Sequence, residues 1–249
     1  MLEVRGLSKS FGGIHAVSDC TLGLRNYAIA GLIGPNGSGK TTLFNLVTGL
    51  IPPDRGEVRF LGKRIDGCPP HEVAHHGIIR TFQLTRIFPK MTVLENMLLA
   101  PPRQTGERFL SLWFRQGKIR GEEARNREKA LHLIETVGLS HLKDQFAENL
   151  SYGQQKLLEL GRALMADPKM ILLDEPTAGI NPSMIRKMID VILKMRESGT
   201  VFFIIEHNMD VVIALCDWVF VLDNGEKISE GTPREIQNDP KVIEAYLGV

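Results

Sequence analysis

The residues whose types and spacing most clearly suggest chemistry form the segment Gly34–Thr41 (GPNGSGKT), which fits GxxxxGK[ST] at every position. The segment, here called the phosphate loop, follows the apolar run Ala28–Ile33 and opens a predicted helix, Lys40–Thr48. Glycines let backbone N–H groups approach phosphate, and a helix N-terminus adds positive potential. In this pattern Lys40 reaches the β- and γ-phosphates and the Thr41 hydroxyl ligates magnesium. We therefore predict a nucleotide-phosphate site; the alternative is a glycine-rich turn without chemical function.

Two acidic residues, Asp174 and Glu175, directly follow the apolar run Met170–Leu173. In an open parallel sheet ligands gather at the carboxyl ends of strands, so Asp174 is expected at the same sheet edge as the phosphate loop. Nucleotide hydrolysis needs one carboxylate near magnesium and a second beside the attacking water. We assign Asp174 to magnesium and Glu175 to the water; an acidic turn after a core strand is the alternative.

Two further polar side chains follow predicted strands. His207 comes after Val201–Ile205 and is expected to contact the γ-phosphate, although a single histidine after a strand is usually a surface residue. Gln83 comes after the run Ile78–Phe82, where its amide could join a metal shell or touch the water. Taken alone, Gln83 carries almost no information.

The segment Leu150–Gln154 (LSYGQ) predicts the start of another helix, Gln155–Met165. Ser151 and Gln154 have the spacing of a capping box. Gly153 and the open backbone N–H groups of a helix start also make this a second anion site. A phosphate loop together with a second anion-binding helix start suggests a composite site.

An α/β fold is predicted to position these segments. Met170–Leu173 and Val201–Ile205 are continuous apolar runs, typical of parallel strands covered on both faces. Leu2–Arg5 and Thr21–Leu24 are expected as short edge strands, and Arg55–Asp66 as a hairpin. Further expected elements are the helices Pro70–His76, Glu122–Val137 and Pro182–Ser198, capping boxes at Thr92–Glu95 and Thr232–Glu235, the second of which opens a single C-terminal helix, and a turn at Asp223–Gly225.

Composition narrows the class of protein. The 249 residues include 30 Lys and Arg against 29 Asp and Glu, a net charge of +1, so nucleic acid is not the expected partner.

Three widely separated cysteines argue against a disulfide framework or a zinc site and favour a reducing cytoplasm. No apolar stretch approaches the roughly 18 residues of a membrane span, and the charged start Met1–Arg5 is unlike a signal peptide. Work at a membrane would therefore require a partner.

The set of motifs resembles the ATP-binding subunit of ABC transporters over nearly the whole chain. The matching pieces are the phosphate loop, Gln83, the LSxGQ signature at Leu150–Gln154, the pair Asp174–Glu175, and His207. The resemblance implies an ATPase that uses ATP and Mg²⁺ and lies at the cytoplasmic face of the cell membrane. Its implied partners are integral membrane permease subunits, a second identical or paralogous ATPase in a head-to-tail dimer and, indirectly, a substrate-binding protein.

The resemblance also carries roles over to individual residues. Phe11 matches the aromatic residue that stacks on adenine; a core or loop aromatic is the alternative. In the dimer, Ser151 and Gly153 would act on the nucleotide of the partner subunit. The residues implied for the nucleotide are Phe11, Val17, Gly34, Asn36, Gly37, Ser38, Gly39, Lys40, Thr41, Thr42, Ser151, Gly153 and Gln154. Those implied for catalysis are Glu175, His207 and Gln83, and those implied for the metal are Thr41, Gln83 and Asp174.

The resemblance implies one ABC ATPase domain over residues 1–249. Residues 1–91 and 151–249 would form the nucleotide-binding core with an antiparallel β subdomain, and residues from about 92 to 150 an inserted helical subdomain. One departure concerns the loop after the acid pair, where many ABC subunits carry an aspartate. Here Asn181 stands before Pro182, which suits a helix cap and leaves a direct charge role of that loop open.

A finer resemblance is to the branched-chain amino acid uptake group. It rests mainly on Arg80–Gln83, Phe88–Asn96, Ala178–Pro182, Ile205–Asp210 and the tail Ala245–Gly248. The ATPases of urea uptake and lipopolysaccharide export share much of this pattern. A soluble ABC ATPase acting on DNA or ribosomes is a further alternative, as is a P-loop kinase or GTPase. The single phosphate loop, the lack of long heptad runs and the signature segment disfavour these last two.

One apolar segment, Phe109–Phe114, is followed by a run of basic residues. The simpler interpretation is that it packs on the helical subdomain while the charges face solvent. The alternative is a contact with the membrane partner or with lipid headgroups.

Overall fold

The computed structural model describes residues 1–24, 27–81, 85–101 and 116–247, with only the backbone of residues 116–118. Contacts divide the chain into two compact units. The first, the sheet unit, comprises Met1–Gln83, Lys169–Thr177 and Ile192–Val249. The second, the helical unit, comprises Leu84–Pro168 and Ala178–Val191. The segment Phe109–Phe114 and Gln83 lie outside the described residues, and the boundaries near residues 92 and 150 stay a prediction.

The strands all belong to the sheet unit. In chain order they are β1 (Leu2–Phe11), β2 (Ile14–Leu24), β3 (Ile29–Ile33), β4 (Arg55–Phe60), β5 (Lys63–Arg64), β6 (Ile78–Arg80), β7 (Met170–Asp174), β8 (Val201–Ile205), β9 (Trp218–Asp223) and β10 (Glu226–Gly231). They form a four-stranded sheet of order β2-β1-β4-β5 and a six-stranded sheet of order β10-β9-β3-β8-β7-β6. In the larger sheet β6, β7, β8, β3 and β9 are parallel, whereas β10 runs antiparallel to β9. The predicted α/β class is confirmed.

The helices are distributed between the units. In chain order they are α1 (Lys40–Val47), α2 (Pro70–His76), α3 (Val93–Leu98), α4 (Gln116–Thr136), α5 (Tyr152–Met165), α6 (Pro182–Glu197), α7 (Met209–Leu215), α8 (Pro233–Gln237) and α9 (Pro240–Leu247). The helical unit contains α3, α4, α5 and the start of α6. Within the described part of the chain, no helix is long and apolar enough to span a membrane.

Strand β3 leads into the phosphate loop and is packed on both faces. Ala30 and Leu32 belong to a large apolar cluster that also contains Phe44 of α1 and Phe203 of β8. Ile33 belongs to a second cluster with residues of β9 and helices α7, α8 and α9. Because both faces are covered, the carboxyl end of β3 is held in a fixed place.

The expectation of short edge strands at the N-terminus was only partly right: β2, which contains Thr21–Leu24, is an edge strand but spans 11 residues. Strand β1 is long and central, since it pairs with β2 on one side and β4 on the other. The pairing of β1 with β2 shifts register between Val4 and Leu7, where Gly6 has φ 57. Such irregularities interrupt the period-two alternation that marks a strand in sequence, so only part of β1 was recognisable.

Three helix predictions also needed correction. The helix expected from Gln155 begins at Tyr152, directly after its cap Ser151. The helix expected from Glu122 begins earlier, at Gln116. The C-terminal segment forms two helices, because Asp239 caps a new helix after α8: the backbone N–H of Lys241 donates to its carboxylate (2.9 Å), and Pro240 occupies the first turn.

Candidate active site

The phosphate loop turns at glycines that no other residue could replace without displacing backbone. At Gly34 (φ 147) a Cβ atom would lie 1.9 Å from the carbonyl oxygen of Leu222. At Gly39 (φ 98) it would lie 2.3 Å from the carbonyl oxygen of Ala16. Asn36, Gly37 and Thr41 are exposed. In the phosphate loop, Gly34 and Gly39 are therefore packed closely against neighbouring backbone, whereas Asn36, Gly37 and Thr41 are accessible to solvent.

Lys40 contacts its own loop. Its ammonium donates to the carbonyl oxygens of Gly34 (2.9 Å) and Pro35 (2.7 Å) and to Ser38 Oγ (3.3 Å). Burial lowers the pKa of Lys40, and the negative charges of Glu175 and Asp174 oppose that shift. The structure thus brings the acid pair close enough to Lys40 for electrostatic interaction, as the position of both at one sheet edge predicted.

The acid pair follows β7. Asp174 ends the strand opposite Ile205 of β8 and is 5% exposed. Glu175 is partly exposed, has φ 49, and donates its backbone N–H to the carbonyl oxygen of Ile205 (3.0 Å). A left-handed conformation at a residue other than glycine is costly and is found often at functional sites.

Arg80 is a residue of this site that sequence reasoning did not assign. It ends β6 and donates from Nη2 to Asp174 Oδ2 (2.7 Å), and both side chains are 6% exposed. It also donates from Nη1 to Asn45 Oδ1 (2.6 Å), and its guanidinium lies 5.5 Å from the ring centroid of Phe44. The charge of Arg80 at the end of an otherwise apolar strand is the feature of the sequence that could have identified this residue.

Glu206 is the second residue that sequence reasoning missed. It is 1% exposed and accepts hydrogen bonds from Thr177 N–H (3.1 Å) and Thr177 Oγ1–H (2.6 Å). Its other carboxylate oxygen accepts from the backbone N–H groups of His207 (3.2 Å) and Asn208 (3.5 Å). Glu206 therefore links the chain after the acid pair to the turn that carries His207, whose side chain is exposed.

Phe11 and Val17, both implied for nucleotide binding, differ in exposure. Phe11 is 47% exposed at the end of the β1–β2 hairpin, and the Lys9 ammonium lies 5.6 Å from its ring centroid. Val17 is fully buried in the apolar core. Phe11 is therefore accessible to solvent and Val17 is not, and the roles of both residues in nucleotide binding stay predictions. Thr42 is partly exposed on α1.

In the helical unit the signature segment begins α5 with the predicted capping box. Gln154 N–H donates to Ser151 Oγ (3.4 Å), and Ser151 N–H donates to Gln154 Oε1 (2.8 Å). Ser151 is exposed, but Gly153 is buried, and a Cβ atom there would lie 2.9 Å from Cγ of Met184. Gly153 therefore has a packing role that is independent of its predicted role in nucleotide binding.

The loop after the acid pair has the cap that its sequence predicts. Asn181 Oδ1 accepts from Met184 N–H (3.0 Å) and Ser183 Oγ–H (2.7 Å) at the start of α6. Gly179 lies against the signature segment, since a Cβ atom there would lie 3.2 Å from Cε1 of Tyr152. Asn181 thus serves as the helix cap at the start of α6, a role that its sequence position predicts.

The arrangement is that of a known protein family. The profile of a family described as "ABC transporter" matches residues 17–178, which contain the phosphate loop, the signature segment and the acid pair. This chain belongs to the ABC transporter family. Residues 226–249 match a second profile, described as "Branched-chain amino acid ATP-binding cassette transporter". The resemblance expected from the motifs is confirmed: the chain is an ATP-binding subunit of the ABC class and an ATPase.

Relatives and solved structures agree with this membership. The chain is 44% identical over 248 residues to the "Probable branched-chain amino acid transport ATP-binding protein LivG" of Archaeoglobus fulgidus, covering 100% of this chain and 95% of that protein. It is 40% identical over 249 residues to the corresponding BraF protein of Pseudomonas aeruginosa, covering 100% and 98%. A nucleotide-free ATP-binding cassette of an ABC transporter superposes with a TM-score of 0.85 at 41% identity, covering 100% and 99%.

A more distant cassette has been solved as a dimer. It is bound to ADP and phosphate in a post-hydrolysis state, and this chain is similar to it with a TM-score of 0.76 at 25% identity, covering 94% of this chain and 99% of that one. Dimeric assembly therefore occurs among ABC cassettes of this fold.

Proposed function

We propose that this chain hydrolyses MgATP to power a membrane permease that takes up branched-chain amino acids. The observation that carries the ATPase part is the grouping of Lys40 with Asp174 and Glu175 at one edge of the parallel sheet. The substrate is proposed from the printed names of the LivG and BraF relatives and from the C-terminal profile. The chain would act at the cytoplasmic face of the cell membrane, as a peripheral subunit.

The donor set fits magnesium. Thr41 offers an exposed hydroxyl and Asp174 a carboxylate, and Mg²⁺ prefers oxygen ligands and is commonly held by one or two carboxylates together with substrate phosphates. We propose Thr41, Asp174 and Gln83 as its ligands. When bound, the ion would neutralise charge that develops on the phosphates.

Hydrolysis then depends on the placement of a few side chains. Lys40 would exchange its contacts with loop carbonyls for contacts with the β- and γ-phosphates. Glu175 would orient the attacking water and accept its proton, and His207 would contact the γ-phosphate. Gln83 would couple the site to the permease. Because the charged side chains are already held in place, they would stabilise the transition state without having to reorganise during the reaction.

We propose a head-to-tail dimer in which each ATP is held by the phosphate loop of one subunit and the signature segment of the other. Ser151 is exposed at the N-terminus of α5, where backbone N–H groups and the helix dipole favour an anion. The solved dimeric cassette supports two subunits as the working unit. The second subunit would be identical or a paralogue.

Replacing Ser151 with alanine tests the composite site. We expect the ATPase rate to fall about ten- to a hundred-fold, since a hydrogen bond to a charged phosphate is lost. The lost cap also costs about 1 kcal/mol of stability. Thr232→Ala is the matched control, because Thr232 forms the same capping box at the start of α8. The control should lose similar stability yet keep its ATPase rate; equal rates in both variants would contradict the composite site.

The proposed partners are tested by purifying the tagged Glu175→Gln variant from native membranes with ATP. We expect multi-span permease subunits, a second ATPase and an amino-acid-binding protein to copurify. Partners that form a lipid-export bridge would overturn the uptake assignment while leaving the ATPase intact. Failure to recover any membrane protein would contradict the transporter function itself.

A further inference from the structure

The C-terminal helix α9 is anchored at its start to the larger sheet. The carboxylate of Asp239 accepts a hydrogen bond from the hydroxyl of Ser229 in β10 and one from the backbone N–H of Lys241. These two bonds hold the pKa of Asp239 below its usual range, so the cap stays ionised at neutral pH. The direction of α9 is therefore set by β10.

The first turn of α9 packs on the apolar core next to the carboxyl end of β3. Val242 is 6% exposed and belongs to the apolar cluster that contains Ile33 and Val221. Ile33 is the last residue of β3 and directly precedes Gly34. Residues four apart lie on the same face of a helix, so the burial of Val242 brings Tyr246 over the same region.

Tyr246 contacts the phosphate loop directly. Its hydroxyl oxygen accepts a hydrogen bond from the backbone N–H of Gly34 (2.9 Å). Gly34 is buried, and a buried N–H group that loses its partner is destabilised. Tyr246 is 45% exposed, but partial burial of its hydroxyl raises its pKa, so the hydroxyl remains protonated at neutral pH.

A second contact from the same part of the chain holds the phosphate loop near its middle, at Ser38. In the turn between β9 and β10, Gly225 donates its N–H to the carbonyl oxygen of Ser38 (3.1 Å). Gly225 in turn accepts from Ser18 N–H of β2 (2.8 Å). The phosphate loop is thus hydrogen-bonded at Gly34 and at Ser38 to residues that follow β9.

We propose that Tyr246 is a positioning residue for nucleotide binding. Its hydroxyl fixes Gly34, the first glycine of the phosphate loop. The inference rests on the proposed function, since it takes the phosphate loop to be the ATP site. Tyr246 does not touch the nucleotide in this proposal. It lowers the conformational freedom of the loop, so less order has to be imposed when phosphate binds.

Tyr246→Phe removes the hydroxyl and keeps the ring. Tyr27→Phe is the matched control: Tyr27 stacks on Trp218 with centroids 5.0 Å apart, in the same unit but away from the loop. Three quantities are measured on the full chain: amide exchange of Gly34 by NMR, the Kd of fluorescent ADP, and the thermal midpoint. ADP is the probe because its binding to the phosphate loop needs no second subunit.

For Tyr246→Phe we expect faster exchange of the Gly34 amide proton and a Kd for ADP about five-fold higher than that of the wild type. A change of this size corresponds to the loss of one ordinary hydrogen bond. Tyr27→Phe should change neither. Wild-type affinity in Tyr246→Phe, with or without faster exchange, would overturn the positioning role. A thermal midpoint that falls without any change in Kd would assign Tyr246 to stability alone and also overturn it. A wild-type chain that does not bind ADP would instead overturn the proposed function, and this inference with it.

Discussion

Replacing Glu175 with glutamine is expected to lower ATP turnover by about 10³-fold while ATP binding persists, since a general base contributes about 10²–10⁴ to a rate. The substitution keeps the shape of the side chain and removes its ability to accept a proton. The backbone geometry at Glu175 depends on its N–H bond to Ile205, which glutamine also makes. Steady-state phosphate release and the Kd of ATP measure the two effects separately. The variant should also accumulate as an ATP-bound dimer, visible by light scattering.

Glu128→Gln is the control for this experiment. Glu128 lies on α4, is exposed, and undergoes the same chemical change far along the chain from the acid pair. It should retain the wild-type turnover. Wild-type turnover in Glu175→Gln would remove Glu175 from the activation of water, and loss of ATP binding would show that the substitution acts on the loop and not on the chemistry.

The parts of the site that the sequence predicts are formed by residues that lie close to one another along the chain. The phosphate loop spans consecutive residues, and the capping box of α5 joins Ser151 to Gln154, three residues apart. Local patterns of this kind follow from the geometry of one turn or one helix start. The edge shared by Lys40 and Asp174 was also predictable, because parallel strands place their carboxyl ends together.

The parts that sequence did not predict depend on contacts between distant segments. Arg80 meets Asp174 across 94 residues, Glu206 meets Thr177 across 29, and Tyr246 meets Gly34 across 212. No periodicity or motif spacing records such pairs, since each is created when two elements pack. These three residues surround the predicted site and hold its segments in place, so the sequence reveals the reacting groups more readily than their supports.

Replacing Arg80 with methionine is expected to lower the free energy of unfolding by about 3–5 kcal/mol, the usual cost of removing one partner of a buried ion pair. The guanidinium and the Asp174 carboxylate are both 6% exposed, so water does not readily replace the lost contact. Methionine retains much of the side-chain volume next to Phe44. Urea unfolding, with midpoint and slope reported together, measures the change.

A second substitution separates charge from packing. Arg80→Met combined with Asp174→Asn removes both charges, and we expect it to recover most of the stability, because a buried pair replaced as a whole is far less costly than one left broken. Arg5→Met is the exposed control: Arg5 pairs with Glu57, its side chain is 59% exposed, and its loss should cost less than about 1 kcal/mol. A single variant as stable as the control would show that Asp174 does not need the charge of Arg80. A double variant no more stable than the single one would assign the loss to packing of the guanidinium against Phe44.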